Sequence, residues 1–195
     1  MTGLQGATAR RLRLGAASLL LGLAVVGGAN AQPAPDAEVQ LEAAFLVNFV
    51  RFTQWPPPSA ADAPYVLTVL GDSDVVDAVR EVVNAAGEIQ GRRIRVQRVS
   101  SLRQGNAAAE LRRSHVVFVH RSTPIAPQQA LAQVDGASVL TVGEGHDFTR
   151  LGGMLGLARS GRKMEFTANV AAIQASGLTV SAKVLKLARR PGGRP

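Results

Sequence analysis

The chain has 195 residues, a net charge of +8 and no cysteine. The absence of cysteine excludes disulfides, thiol-based regulation and a lipoprotein anchor, so the stability of the fold has to come from its apolar core. The basic residues occur in scattered groups away from the few aromatic residues, whereas nucleic-acid-binding proteins favour basic stripes interleaved with aromatics. The composition therefore gives no support to a nucleic-acid partner.

The first 31 residues have the three parts of a secretory signal peptide. Arg10, Arg11 and Arg13 precede an apolar run over residues 14–26, and small residues follow at 29–31. A transmembrane anchor is the alternative, but this run of 13 residues is shorter than the roughly 20 that a spanning helix needs. We expect cleavage near Ala31 and export to the periplasm. The mature chain then has a net charge of +5, because the removed segment contains three arginines and no acid.

Residues 32–195 are predicted to form a single α/β domain that begins with an amphipathic helix over 38–52. The apolar residues Leu41, Phe45, Phe49 and Phe52 recur at helical spacing and form the expected buried stripe. The helix has to end before the prolines at 56–58. Proline lacks an amide donor and disfavours a helical conformation in the residue before it.

Short apolar strands then alternate with helical segments. Strands are predicted over 65–70, 94–99, 115–119 and 137–142, and helices over 75–86, 107–113 and 125–133. The alternation is typical of βαβ units, which form a mostly parallel central sheet with helices on both faces. Towards the C-terminus, residues 154–158 and 163–167 predict an antiparallel hairpin, and helices are predicted over 169–176 and 181–188.

The segment Gly71-Asp72-Ser73, directly after the first strand, resembles the nucleophile segment of GDSL esterases. Those enzymes take their base from an Asp-x-x-His motif, and none of the three histidines here has an acidic residue three positions before it. The alternative is structural. Gly71 allows a turn, Asp74 is the expected N-cap of the following helix, and Gly87 is its expected end. We favour the structural interpretation.

No metal or cofactor site is predicted. His115 and His120 lie at the two ends of one strand with side chains on opposite faces, and His146-Asp147 offers only two ligands. The Gly-x-Gly at 143–145 lacks the rest of a dinucleotide-binding fingerprint, so we interpret it as a flexible loop.

Seven residues are candidates for contact with other molecules. Trp55, Gly71 and Asn169 are predicted to face a small-molecule ligand, although a core anchor (Trp55) and a loop tie (Asn169) are the structural alternatives. The residues predicted to contact a protein partner, or a second copy in a homodimer, are Arg162, Glu165, Val184 and Leu187.

Four stretches of the sequence, in their order and spacing, resemble the YfiR family of periplasmic proteins. They are residues 44–56, the strand end at 69–71, the segment 138–142 with Phe148 and Gly152-Gly153 after it, and the region 166–188. The resemblance covers nearly the whole mature chain. It implies a regulator: family members bind the periplasmic sensor part of an inner-membrane diguanylate cyclase and hold it inactive, and their release raises cyclic di-GMP and favours biofilm formation.

One departure from the family pattern bears on regulation. Many relatives carry cysteines, often one just before the third strand, where this chain has Ser114. Redox control is therefore not expected here. Two other functions stay open at this point. One is a periplasmic small-molecule-binding module with its pocket at the strand ends near Gly71 and Gly143, and the other, less favoured, is a hydrolase that uses Ser73.

Overall fold

The computed structural model describes residues 37–57, 63–103, 105–161 and 163–189. The predicted signal peptide and Arg162 lie outside these residues, so their predicted roles stay predictions. Within the described ranges, no helix combines the length and the apolarity needed to cross a membrane.

Two sheets organise the described residues. The strands are β1 (Thr53–Gln54), β2 (Tyr65–Leu70), β3 (Ile94–Arg98), β4 (Val116–Val119), β5 (Leu140–Glu144), β6 (Leu155–Ser160), β7 (Lys163–Ala168) and β8 (Thr179–Val180). Six strands form the central sheet in the order β3-β2-β4-β5-β6-β7, while β1 and β8 form a small antiparallel pair. Strands β2 to β6 run parallel, and β7 pairs antiparallel with β6 as the predicted hairpin. The predicted fold class is confirmed.

Helices cover both faces of this sheet. They are α1 (Ala37–Arg51), α2 (Ser73–Ala86), α3 (Ala107–Arg112), α4 (Pro127–Val134), α5 (Val170–Ala175) and α6 (Ala182–Leu185), with a 3-10 helix at His146–Thr149. Residues of α1, α2, α5 and α6 pack into a core on one face, and residues of α3 and α4 pack into a core on the other. All residues of β2 and β4 are buried as a result, as their continuous apolar runs predict.

The buried face of α1 differs from the predicted stripe. Leu41 and Phe52 are each 40% exposed, whereas Glu42, Leu46 and Phe49 are buried. The contact face is rotated by about one position, because α1 packs against both α2 and the β6–β7 hairpin. The rotation turns the carboxylate of Glu42 towards the carboxyl ends of the strands.

Two further predictions about short segments are wrong. The N-cap of α2 is Asp72 and not Asp74, since the Oδ1 atom of Asp72 accepts a hydrogen bond from the amide of Val75 at 3.1 Å. Gly143 is not part of a flexible loop but lies inside β5, where the buried ring of Phe148 packs against it. In both cases the local sequence pattern was ambiguous: the backbone geometry after β2 selects Asp72 as the cap, and Gly143 packs against Phe148 within the sheet.

Candidate functional site

The carboxyl ends of the parallel strands form the edge of the sheet at which the site lies. Strands β2 and β4 are neighbours, but the helices that follow them, α2 and α4, cover opposite faces of the sheet. Such a topological switch leaves a crevice beyond the strand ends, where open α/β sheets commonly bind ligands. Gly71 and His120 follow β2 and β4 directly, and Glu144 ends β5.

One histidine and two carboxylates meet at this edge. The Nε2 atom of His120 lies 3.4 Å from Oε2 of Glu144 and 3.8 Å from Oε2 of Glu42. Glu42 belongs to α1 and is 1% exposed, and its Oε2 atom has no hydrogen-bond partner among the described residues. We refer to Glu42, His120 and Glu144 as the Glu-His-Glu cluster.

The guanidinium group of Arg121 contacts the carboxylates of both Glu42 and Glu144. Its Nε atom donates to Oε1 of Glu144 at 2.6 Å, and its backbone amide donates to Oε2 of the same residue. Its Nη2 atom donates to Glu38 at 2.8 Å and lies 3.6 Å from Oε1 of Glu42. Arg159 donates to the second oxygen of Glu38 at 3.2 Å. The Oε1 atoms of Glu42 and Glu144 therefore face the guanidinium group of Arg121, and their Oε2 atoms face His120, although Oε2 of Glu144 also accepts a hydrogen bond from the Arg121 amide.

The imidazole of His120 is fixed through its other nitrogen. Its Nδ1 atom lies 2.8 Å from the hydroxyl oxygen of Ser122 and 3.1 Å from the Ser122 amide. The Ser122 hydroxyl in turn accepts a hydrogen bond from the amide of Asp72 at 3.0 Å. The ring thus has one defined orientation, in which Nε2 points into the cluster.

Burial controls the proton affinities of these groups. Burial, and secondarily the negative charge of Glu144, raises the pKa of Glu42 to about 8. Burial lowers the pKa of His120, against the opposing influence of Glu144. The hydrogen bond from Arg121 lowers the pKa of Glu38. In the absence of a bound cation, Glu42 and His120 are therefore mainly uncharged at neutral pH.

Sequence reasoning missed this cluster. Glu42 and His120 are far apart in the chain, and only the packing of α1 brings them together. Two signals were present: a glutamate among the apolar residues of an amphipathic helix, and a histidine directly after a buried strand. The metal-like pair that the sequence did single out, His146-Asp147, lies in the 3-10 helix, where Asp147 pairs with Arg150 at 2.9 Å.

The predicted ligand residues Trp55 and Gly71 lie at opposite ends of β2. The Nε1 atom of Trp55 donates to the carbonyl of His115 at 3.2 Å, and its ring lies 5.2 Å from the ring of Tyr65. The carbonyl of Gly71 accepts a hydrogen bond from Arg98 at 2.9 Å, beyond the other end of the strand. The two residues therefore cannot share one small ligand site.

Asn169, the third predicted ligand residue, caps helix α5. Its Oδ1 atom accepts from the amide of Ala172 at 3.0 Å, and its Nδ2 atom donates to the carbonyl of Thr149 at 3.2 Å. These contacts agree with the structural alternative for Asn169, in which its side chain holds the backbone of a neighbouring loop. A ligand role for Trp55, Gly71 or Asn169 stays a prediction.

Ser73, the nucleophile of the hydrolase alternative, opens helix α2 and is exposed. Its hydroxyl lies 3.4 Å from a carboxylate oxygen of Asp74, and the nearby His120 is hydrogen-bonded to Ser122 instead. A serine hydroxyl without a paired base is a weak nucleophile. The described geometry thus favours the structural interpretation of this segment.

The half-buried ring of His115 predicts a pH dependence of stability. Its Nδ1 atom accepts a hydrogen bond from the amide of Val66 at 3.0 Å, and its Nε2 atom faces Arg92 at 3.4 Å. Burial and then the charge of Arg92 lower its pKa to about 4. As the pH falls, His115 therefore takes up a proton near pH 6.5 in the unfolded chain but only near pH 4 in the folded protein. This contribution to stability is complete above pH 6.5 and is lost as the pH falls towards 4.

Urea unfolding at pH 7 and pH 4.5 measures this effect. Because the ring is only half-buried, we expect His115 to account for about 1–2 kcal/mol of the stability lost at the lower pH. His115→Gln keeps an acceptor for the Val66 amide but cannot titrate, and it should lose correspondingly less stability between the two pH values. Identical pH dependence in both proteins would contradict the assignment.

The predicted partner residues differ in their surroundings. Val184 packs in the core at 9% exposure, so it does not contribute to an exposed apolar patch, because α6 turns it towards the sheet. Leu187, just after α6, is 75% exposed. Glu165 on β7 pairs with Arg189 at 2.7 Å. Leu187 and Glu165 thus lie along the outer edge of the hairpin, while Arg162 is outside the described residues.

Two open grooves lie beside helix α4. The first, of about 450 Å³, has an apolar lining that includes Leu131, Val134, Leu151 and Met154. The second, of about 590 Å³, opens beyond the carboxyl ends of β3 and β4, and its lining includes Ser100, Arg103, Ile125 and Gln129. None of the predicted ligand residues lines either groove.

Two solved structures have a similar fold. A conserved domain protein from Vibrio cholerae is 10% identical to this chain with a TM-score of 0.54, and an ABC domain from Streptococcus pneumoniae in complex with L-Trp is 13% identical with a TM-score of 0.52. Each match covers 78% of this chain and 59% of the other, so this chain spans less than two thirds of those chains. At such identities the similarity shows the fold alone.

The sequence itself matches a family model. The model described as YfiR/HmsC-like aligns with residues 39–189, which include all six strands of the central sheet and the whole Glu-His-Glu cluster. The match confirms the resemblance found in the sequence and supports a regulatory role in the periplasm. The chain belongs to the YfiR/HmsC-like family.

Proposed function

We propose that this protein is a periplasmic regulator that binds the periplasmic sensor domain of an inner-membrane diguanylate cyclase and holds the enzyme inactive. The observation that supports the proposal most strongly is the YfiR/HmsC-like match, because it extends over nearly all of the described residues. Loss of the regulator then raises cyclic di-GMP and favours biofilm formation.

Regulation of this kind needs differential binding rather than chemistry. A regulator shifts its partner towards the inactive form only to the extent that it binds this form more tightly. A preference of about 100-fold corresponds to about 2.7 kcal/mol. One or two well-buried anchor residues in an interface can supply such a difference.

The outer edge of β7 is the surface that we assign to the partner. The chain after α6 runs along this edge, where the amide of Arg189 donates to the carbonyl of Phe166 at 2.8 Å. Leu187 is exposed there, next to the ion pair of Glu165 and Arg189. An exposed apolar side chain with charged neighbours matches the usual anatomy of an interface, an apolar centre with a polar rim.

Deletion of the gene should raise the cellular concentration of cyclic di-GMP. The membrane cyclase should co-purify with the protein when the protein is isolated from cells. Leu187→Glu should weaken this association by at least about 10-fold, because it places a charge in the apolar centre of the interface. Binding of the variant and the native protein to the isolated sensor domain measures the difference.

Leu151→Glu is a matched control, since Leu151 is also an exposed leucine (42%) but lines the groove beside α4 and not the outer edge of β7. It should bind the cyclase normally. Unchanged cyclic di-GMP after deletion would refute the proposed function. Equal loss of binding in both variants would refute only the assigned surface.

A small-molecule-binding module is a second candidate, favoured by the two grooves beside α4. Their volumes are within the range of sites for small ligands. The second groove also opens at the carboxyl ends of strands, but neither Gly71 nor Gly143, near which the sequence predicted a pocket, lines it. The two candidates are compatible, because a ligand in a groove could alter the affinity for the cyclase.

A further inference from the structure

We propose that the Glu-His-Glu cluster is a binding site for a divalent transition-metal ion of the Zn²⁺ class. Each of Glu42, His120 and Glu144 offers one ligand atom, and these three atoms all lie within 4.8 Å of one another. The inference is independent of the proposed function, because it concerns this chain alone.

The spacing of the three ligand atoms fits a small ion. A tetrahedral Zn²⁺ with bonds of about 2.0–2.2 Å holds its ligand atoms roughly 3.3–3.6 Å apart. The Nε2 atom of His120 lies 3.4 Å and 3.8 Å from the Oε2 atoms of Glu144 and Glu42. The two carboxylate ligand atoms lie within 4.8 Å of each other, so the cluster has to contract somewhat around the ion, and three ligands leave a fourth coordination position open.

Glu42 provides the second, independent observation. Its side chain is almost fully buried, yet its Oε2 atom has no hydrogen-bond partner among the described residues and is directed towards His120. Buried carboxylate oxygens normally have partners, because an unsatisfied one is costly. A metal ion at the centre of the cluster would satisfy this atom.

The groups around the cluster suit a metal site. The carboxylates of metal sites are usually held by further hydrogen bonds, and here Arg121 contacts the Oε1 atoms of both glutamates. A metal-binding histidine usually donates its other N–H to an acceptor. The Ser122 hydroxyl, 2.8 Å from Nδ1 of His120, can serve as this acceptor once Nδ1 gives up the hydrogen bond that it accepts from the Ser122 amide. The carboxylates are therefore oriented before the ion binds, whereas the imidazole has to change its tautomer.

The ligand types of the cluster also suit such an ion. A histidine nitrogen with carboxylate oxygens, and no sulfur, matches the ligand preferences of Zn²⁺ and similar ions rather than Cu⁺. A proton on Glu42 is the competing occupant of the cluster, because burial raises the pKa of this carboxyl to about 8.

Titration of the purified, chelator-treated protein with Zn²⁺ tests the proposal. We expect saturable binding of one ion per chain and a rise in melting temperature. Glu42→Gln and His120→Asn should each weaken binding by at least about 10-fold. Co²⁺ bound in place of Zn²⁺ should give a visible absorption band that is absent from both variants.

His146→Asn and Glu165→Gln are the matched controls, because they remove a histidine and a glutamate outside the cluster. Both should bind Zn²⁺ like the native protein. Circular dichroism confirms that each variant is folded. The absence of saturable binding, or equal binding by native protein and Glu42→Gln, would refute the metal site and leave the proton as the occupant of the cluster.

Discussion

Replacing Phe49 with alanine should lower the free energy of unfolding by about 3–5 kcal/mol. Phe49 is 2% exposed, and its ring centre lies 5.2 Å from that of Phe166 on β7 and 5.9 Å from that of Phe45. Together with Phe45, it packs α1 against the hairpin. Its removal leaves a cavity that the strands of a sheet cannot close by small movements.

Phe52→Ala is the matched control, because it deletes the same side chain three residues further along, where Phe52 is 40% exposed. The loss there should stay below about 1 kcal/mol. Urea unfolding of the two variants measures both values. Similar losses of stability in the two variants would contradict the observed rotation of α1 and would support the predicted apolar stripe, in which Phe49 and Phe52 are both buried.

Gly143→Ala should destabilise the protein by about 3 kcal/mol, near the upper end of the usual cost of overpacking. A Cβ atom at position 143 would come under 3.0 Å from three ring atoms of Phe148, and a Cβ at Gly153 would meet the other side of the same ring. The ring is 2% exposed and held between two glycines, so it cannot move away from the added methyl group.

Gly105→Ala provides the comparison, since a Cβ there has no neighbour within 4 Å. It should change stability by less than about 0.5 kcal/mol. In the Gly143→Ala/Phe148→Leu double variant, the smaller side chain should relieve part of the clash, giving a loss smaller than the sum of the single losses. Strict additivity would contradict the proposed contact.

Most of the fold could be predicted because its signals are local. The apolar runs of β2 and β4 are long enough for strands buried on both faces, and the helical segments between them require parallel crossovers. The turn at Ser160-Gly161 predicted the hairpin, where Gly161 has a φ of 59°. Each of these signals lies within a few residues, so no tertiary information was needed.

Short segments with two local solutions were harder to predict. Asp72 and Asp74 are both good N-caps by residue type, and the backbone geometry after β2 selects Asp72. The two-residue strands β1 and β8 were not predicted, because they pair with each other across most of the chain and have no periodicity of their own.

Periodicity and motif spacing are properties of the chain, so they were enough to predict the order of the main helices and strands, the parallel sheet with its hairpin, and the resemblance to a family of regulators. The buried face of α1 depends instead on packing between elements far apart in the chain, and this packing brings Glu42 to His120 and Glu144. The rotation of a helix about its axis is set by what it packs against, and a change of one residue moves each side chain by about 100°. The candidate site depends on this angle.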